Sequence, residues 1–448
     1  MARHSSFFVN KVKAFVEKHD LLDLNRRYLV ALSGGADSVA LMLVMLKLGY
    51  KIDAVHCNFH LRGDEADRDE LFCRSLCERL VVPIHVAHFA TREYASVHKI
   101  SIEMAARYLR YDYFERLRCD IGADTVAVAH HKDDTVETML INLIRGTGIH
   151  GLTGIAYRRD NIVRPLLCVS RQDILKFLEE SGQDFVDDST NMLDDVVRNK
   201  IRLNIVPLMK EINPSLTDAV ATTAERVRMA AEIFDDAMDK RIKQAKVSSS
   251  NGCHIYELDK INDEYTFYYM LKPFGFTASA IEDAFRALKN PKTGALFCSQ
   301  TYEMTFHSGK MVVMKKDNAF KTMKLPECGK YVIGDNDRMI NIKRQLIGDD
   351  FKPSKKPFLA SFDAEKVVFP LILRTINKGD RFHPFGMKGS RLVSDLLTDM
   401  KTNNLEKQRQ LVLTDANDTI LWVVGKRTDN RFRVCESTKE VVTAEISQ

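Results

Sequence analysis

Ser33-Gly34-Gly35-Ala36-Asp37-Ser38 stands directly behind the apolar run Tyr28-Leu29-Val30-Ala31-Leu32 and ahead of the apolar stretch Val39 to Leu46. The order reads as a buried strand, a turn and a helix. Adjacent glycines let the backbone turn sharply and approach a ligand closely. The helix behind them points free N–H groups, and the positive end of its dipole, at the turn. Such a place holds an anion, most simply a phosphate. Ser33 and Ser38 add hydroxyl donors. Asp37 repels phosphate unless a cation lies between them, which argues for a nucleotide with Mg²⁺ on Asp37. A plain turn capped by Ser and Asp is the structural alternative. The strand–turn–helix context favours the anion site. The string lacks the Gly-Lys-Ser/Thr ending of a Walker A loop, which disfavours a γ-phosphate kinase or ATPase.

Outward from this turn, strand and helix signals alternate. Strands are expected near 28–32, 51–57, 83–88 and 125–129, and helices near 38–48, 66–80, 102–118 and 134–145. Alternation of this kind predicts an α/β fold, a doubly wound parallel sheet with ligands beyond the carboxyl ends of its strands. Behind the second strand comes His56-Cys57-Asn58-Phe59-His60-Leu61-Arg62-Gly63, a polar turn that suits either a nucleotide or plain loop structure. Behind the fourth comes Ala129-His130-His131-Lys132-Asp133-Asp134-Thr135-Val136-Glu137-Thr138. Asp134 and Glu137 share one face at a helix start. They either favour the helix N-terminus or hold a cation, Mg²⁺ or a substrate ammonium. Adjacent histidines continuing a strand point opposite ways, which disfavours a shared zinc site. Gly146-Thr147-Gly148-Ile149-His150-Gly151 matches the dinucleotide fingerprint but follows a helix, so NAD or FAD binding is rejected.

At 448 residues the chain suggests two to four domains. With 45% hydrophobic and 28% charged residues it reads as a soluble globular protein. A net charge of +5 tilts only mildly toward an acidic partner such as nucleic acid. Nine scattered cysteines without a Cys-x-x-Cys pair fit a reducing cytosol, and Cys73 and Cys77 read as helix core. Phe7-Phe8-Val9 is too short for a signal core, and no apolar run approaches a membrane span. The expectation is a cytoplasmic protein with no membrane partner. Beyond Pro207, residues 215–246 read as one long charged helix, broken by Ser248-Ser249-Ser250-Asn251-Gly252. A small α+β segment then runs to about Met314, Lys321 to Lys356 is Lys-rich, and a compact module begins near Leu371.

Further strings sharpen the reading. His60-Leu61-Arg62, Glu103-x-x-Ala106-Arg107-x-x-Arg110-Tyr111 and His130 to Thr138 come in order behind the glycine loop. Arg145-Gly146-x-Gly148 with Gly151-Leu152, Arg164-Pro165-Leu166-Leu167, Asp188-Ser189-Thr190-Asn191 and Arg198-Asn199-x-Ile201-Arg202 follow. Gly379-Asp380-Arg381-Phe382, Pro384-Phe385-Gly386-Met387, Ser394-Asp395 and Arg409 mark the last module. This set resembles the tRNA(Ile)-lysidine synthase family of the ATP pyrophosphatase superfamily, whose glycine loop is the PP-loop. Thr135 departs from the family's usual Gln.

The resemblance implies an adenine nucleotide alpha hydrolase-like fold and three domains. These are a PP-loop ATP-binding domain over 1–212, a helical linker and central α+β domain over 213–320, and a tRNA-contacting domain over 321–448 with its core from about 371. It implies ATP, Mg²⁺, L-lysine and an isoleucine tRNA with a CAU anticodon. ATP adenylates the C2 carbonyl oxygen of the wobble cytidine, and lysine then displaces AMP. Asp37, His131, Asp134 and Glu137 would be catalytic, with Mg²⁺ on Asp37 and the lysine ammonium on Asp134 and Glu137. Ser33, Gly34, Gly35, Ala36, Asp37, Ser38, Asn58, Arg145 and Gly146 would surround ATP. Arg107, Arg110, Arg198, Arg202 and Arg381 would meet tRNA phosphates, and Arg374, Phe382, Phe385, Lys388 and Arg391 would join Arg381 in a grip on the tRNA body. Another ATP pyrophosphatase and a non-catalytic RNA-binding module are the rival readings. The oligomeric state stays open, a homodimer included.

Overall fold

The computed structural model describes residues 2–186, 197–250, 252–261, 263–289, 295–316, 320–334, 338–348, 351–354, 356–387 and 389–447. The string Asp188 to Asn191, Asn251 and Lys388 lie outside them. The chain divides into two compact units, Met1–Asp235 and Asp236–Gln448.

The first unit runs α1 (Ala2–Lys18), β1 (Arg27–Ala31), α2 (Ala36–Lys47), β2 (Lys51–Asn58), α3 (Asp64–Leu80), β3 (Ile84–His88), α4 (Thr91–His98), α5 (Ile102–Asp120), β4 (Thr125–Ala127), α6 (Lys132–Arg145), β5 (Arg158–Arg159), β6 (Ile162–Val163) and α7 (Arg171–Ser181). The strands form one sheet in the order β3-β2-β1-β4-β6-β5. β1 pairs in parallel with β2 and with β4, and only the edge strand β5 is antiparallel. The chain winds outward from β1 to β3, then returns to lay β4 on β1's other side. That reversal is the topological switch point of a doubly wound sheet, and it opens a crevice at the carboxyl ends of β1 and β4. The two chemistry-bearing strings of the sequence leave from those two ends.

Strand periodicity explains why β1 is central. Tyr28 and Val30 enter the core formed with α1, α2 and α7, while Leu29 faces Phe114 and Leu117 of α5 on the opposite side. Each such burial contributes roughly 1.5–3 kcal/mol. α1, which the sequence reading did not anticipate, lays Phe8 flat on Phe177 of α7 at 4.3 Å. β5 and β6 are two residues each, too short to carry an alternating signal.

Next come α8 (Val197–Lys200), a π-helical turn (Ile201–Ile205), α9 (Val206–Ile212) and α10 (Leu216–Ala245), within which the boundary between units falls. In the second unit β7 (Lys246–Ser250), β8 (Cys253–Glu257), α11 (Glu264–Leu271), α12 (Ala278–Lys289), β9 (Leu296–Cys298), β10 (Tyr302–His307) and β11 (Lys310–Lys315) build a five-stranded sheet covered by two helices. The long helix stops at Ala245, ahead of the expected break, and Ser248 to Ser250 belong to strand β7, paired with β8.

The remaining strands are β12 (Met323–Leu325), β13 (Gly329–Ile333), β14 (Arg338–Leu346), β15 (Leu359–Asp363), β16 (Leu371–Thr375), β17 (Arg381–Phe382), β18 (Arg391–Leu392), β19 (Leu411–Thr414), β20 (Ile420–Val423), β21 (Arg427–Thr428) and β22 (Glu440–Ile446), with helices α13 (Val393–Asp399) and α14 (Asn404–Gln408). They make two larger sheets, β12-β16-β19-β20-β21 and β13-β14-β22-β15, whose faces share one core around Trp422, Phe362 and Val442. That core takes in Leu325, Ile333 and Ile340, well before residue 371. Hence the Lys-rich segment is part of the module's core, not a lead-in to it. Its strand β14 pairs with β22, about a hundred positions later, a partnership no local pattern reveals.

Candidate active site at the switch point

The loop between β1 and α2 is held open by its own hydroxyls. The Ser33 N–H donates to Ser38 Oγ at 3.1 Å, and the Ser38 hydroxyl donates to the Gly35 carbonyl at 2.9 Å. Ser38 is buried, so it shapes the loop, while Ser33 Oγ stands 3.1 Å from it. Gly34 has φ +91°, and a Cβ there would lie 3.4 Å from Cys73 Sγ and 3.5 Å from the Phe72 ring. Any other residue is strained at that angle. Among the described residues no side chain caps α2. Its first N–H groups are therefore left for an anion, and the loop fits a phosphate chain.

The start of α6 supplies the acidic half. The His131 N–H donates to Asp134 Oδ2 at 2.9 Å, so Asp134 reaches back over the helix start in the manner of a capping box. His131, buried, has Nε2 at 3.6 Å from Asp134 Oδ2 and 3.7 Å from Asp37 Oδ2, and Nδ1 at 3.5 Å from Asp133 Oδ2. Burial alone would lower its pKa, yet the three carboxylates outweigh burial and raise it. One imidazole thus joins the glycine loop to the α6 carboxylates.

Cations close the ring. Arg202 donates from Nε to Glu137 Oε1 at 2.6 Å and from the guanidinium's second arm to Oε2 at 3.1 Å. Arg198 Nε lies 3.1 Å from Glu137 Oε2 while its other nitrogen donates to Thr138 Oγ1 at 2.9 Å. Glu137 is almost fully buried, and burial raises its pKa despite both arginines. Arg202 sits in the π-helical turn, a local widening often found at functional sites. Asp37 is held by the Arg171 guanidinium, and the Arg171 N–H donates to Asp133 Oδ2 at 2.8 Å. Burial tends to raise the Asp133 pKa, but His131, the Arg171 N–H and Lys210 hold it below the ordinary carboxylate range. Every acidic group here is matched by a cation or N–H.

Residues 5–209 match the PP-loop domain family, 251–316 the TilS substrate binding domain and 371–444 the TilS substrate C-terminal domain. The chain is 45% identical to the tRNA(Ile)-lysidine synthase of Parabacteroides distasonis, over 97% of this chain and 98% of that one. It is 42% identical to the enzyme of the same name from Bacteroides thetaiotaomicron, over 97% and 99% of the two chains. The one from Porphyromonas gingivalis is 37% identical over 95% and 96%. The chain belongs to the tRNA(Ile)-lysidine synthase family. Membership makes it a ligase built on a PP-loop ATP site.

In this member of the tRNA(Ile)-lysidine synthase family, Ser33 to Ser38, His131, Asp134 and Glu137 lie together at the switch point, whereas Arg198 and Arg202, expected on tRNA phosphates, hold the buried Glu137 carboxylate instead. Other expected positions do not join them. Asn58 is buried, donating to Asp67 and Glu70 and accepting from the His60 N–H at 3.0 Å, so it braces the β2–α3 turn. Arg145 and Gly146 close the far end of α6, a 14-residue helix about 20 Å long. Arg107 and Arg110 are exposed on α5, lying over the Tyr111 and Phe59 rings at 5.1 Å each. Thr135 points to the other side of α6. A Cβ on Gly154 would lie 2.4 Å from its methyl, and it lines a cavity of about 270 Å³ with Tyr157 and Arg228. The departure at Thr135 therefore lies away from the glycine loop.

In the second unit Arg381 and Phe385 are exposed around the turn at 384–387. Arg374 is instead buried between Asp380 at 2.8 Å and Asp418 at 3.0 Å, and Phe382 is fully buried. Arg391 pairs with Asp399. Arg374 and Phe382 are structural, because a guanidinium locked between two carboxylates has no donor to spare for phosphate. Sequence reasoning missed the parts that Arg171 and Asp133 take at the site. The Ser170-Arg171-Gln172-Asp173 capping box announced a helix start, and nothing local announced where the Arg171 guanidinium goes.

His130 carries a pH signature. Its Nδ1 is buried without a hydrogen-bond partner, and burial pushes its pKa down from 6.5 to about 4. An imidazole of this kind favours the folded chain only while neutral. Its contribution is full above about pH 6.5 and is lost as pH falls toward 4. Thermal melts from pH 7 to 4 should show a steeper fall in Tm for the wild type than for His130→Gln. Equal slopes would remove His130 from the acid response.

Proposed function

We propose that the chain ligates free lysine to C2 of the wobble cytidine in isoleucine tRNA with a CAU anticodon, converting ATP to AMP and pyrophosphate through an adenylated cytidine. The observation that carries this reading is the meeting, at one switch point, of an uncapped glycine loop with a buried carboxylate pair, bridged by His131. A carbonyl oxygen is a poor leaving group. In the first step the cytidine O2 attacks the α-phosphorus, the bond to the β-phosphate breaks, and its electron pair leaves with pyrophosphate. In the second the lysine amine attacks C2, the C2–O bond breaks, AMP leaves and the amine gives up its proton.

This chain's residues divide the work. The α2 N–H groups and Ser33 cradle the phosphates. Asp37 would hold Mg²⁺, which when bound neutralises phosphate charge. Asp134 and Glu137 take the lysine ammonium and orient the attacking amine. Arg202 already occupies Glu137, so the ammonium must share that carboxylate or displace the guanidinium. Arg107, Arg110 and Arg145 are exposed cations suited to tRNA phosphates. The test is pyrophosphate release with and without tRNA and lysine, together with mass spectrometry of the wobble nucleoside. Release that ignores tRNA, or an unchanged cytidine mass, rejects the reading.

The last module is proposed as the grip on the tRNA body, with Arg381 and Phe385 at its exposed turn. A cut at residue 370 would strip β22 from β14 and β15 and open the shared core, so the informative truncation ends before Phe320. Its loss should weaken isoleucine tRNA binding and flatten the salt dependence, because phosphate contacts disappear. Filter binding from 50 to 200 mM salt measures both. Unchanged affinity and slope would assign the module a structural role only.

A further inference from the structure

We propose that Arg171 is a further catalytic residue, a counter-cation that guards Asp37 in the ligand-free chain and passes to the phosphates when the metal takes its place. The inference rests on the function proposed above. Asp37 is the second residue of α2, so its carboxylate lies in the same helical turn as the N–H groups that meet the anion. The Arg171 guanidinium is on its Oδ1, and His131 Nε2 is 3.7 Å from its Oδ2. The guanidinium therefore already stands at the phosphate loop.

Its anchor is rigid while its head is free to change partner. The Arg171 backbone is fixed as the first residue of α7. Its N–H binds Asp133 at 2.8 Å, and Ser170 and Asp173 cap the helix reciprocally at 3.1 and 3.0 Å. The side chain, about a third exposed, bonds no side chain other than Asp37 among the described residues. A small divalent cation demands oxygen ligands in tight octahedral geometry, so the guanidinium cannot keep the oxygen that the metal takes. A displaced guanidinium is always charged and presents a fork that fits phosphate oxygens. The nearest new anion is the nucleotide delivered with the metal. There Arg171 offsets the charge that builds on the departing pyrophosphate.

The exchange has a thermodynamic signature that a plain ion pair between α2 and α7 lacks. With Mg²⁺, Arg171 trades one anion for another, so ground-state binding barely depends on it. Without Mg²⁺, removing Arg171 leaves Asp37 bare against phosphate. Calorimetric binding of a non-hydrolysable ATP analogue to Arg171→Ala should therefore weaken about tenfold without Mg²⁺ and less than about threefold with it. Pyrophosphate release in the presence of tRNA and lysine should fall about tenfold or more. Equal weakening with and without Mg²⁺, or wild-type release, overturns the proposal. Should Arg171→Ala not fold, Arg171→Lys decides. It should bind the analogue like the wild type under both conditions yet release pyrophosphate more slowly, lacking the fork. Wild-type release, or binding lost in both conditions, overturns the proposal there too. Wild-type protein that releases no tRNA-dependent pyrophosphate would count against the proposed reaction itself, a failure distinct from these.

Discussion

Asp37→Asn should fold, bind tRNA and lose pyrophosphate release by about a hundredfold to a thousandfold, the cost of removing one group that stabilises transferring charge. The physical case is local. Asp37 is about a third exposed and, among the described residues, its side chain pairs with Arg171 and His131 only. An ion pair that open contributes about 0–1 kcal/mol to stability, so the fold should survive. Asparagine keeps the shape and one oxygen but removes the charge a divalent cation needs. It also frees Arg171, which then faces phosphate without a competing carboxylate. Melting temperature, tRNA affinity and pyrophosphate release separate these effects. Near-normal release from a folded Asp37→Asn protein would sink the assignment of the metal to Asp37.

Neutralising Asp134 or Glu137 should raise the KM for lysine about ten- to a hundredfold, the loss of one charge-assisted bond worth about 1.5–3 kcal/mol, with the KM for ATP almost unmoved. The two substitutions should differ in their side effects. Asp134→Asn keeps an oxygen for the His131 N–H, so the start of α6 stays closed. Glu137→Gln leaves Arg202 and Arg198 facing a neutral amide in a buried place, and it should also lower the melting temperature. Steady-state kinetics with lysine and ATP varied in turn is the measurement. Equal effects on both substrates would move the pair from the amino acid to the metal.

What could be read from the chain alone was whatever depends on near neighbours. β1 and the turn behind it lie within a dozen residues, so an apolar run, two glycines and an expected open helix start pointed to an anion site without any tertiary information. The same holds for the carboxylates of α6 and for the four main strands. Alternation also implied the parallel sheet, because parallel neighbours need a helical crossover. None of this showed what the charged side chains would meet. Arg171 and Asp37 are 134 positions apart, Arg202 and Glu137 are 65 apart, and both pairs exist only because the sheet's winding brings α7 and the π-helical turn to the crevice. The same distance hid the second half of the last module's core, where β14 waits for β22. A side chain's charge is written in the sequence, but its partner is chosen by the fold. Arg374 and Phe382 were expected on the tRNA-gripping surface and lie inside, and Arg198 and Arg202 were expected on tRNA phosphates and hold a buried carboxylate.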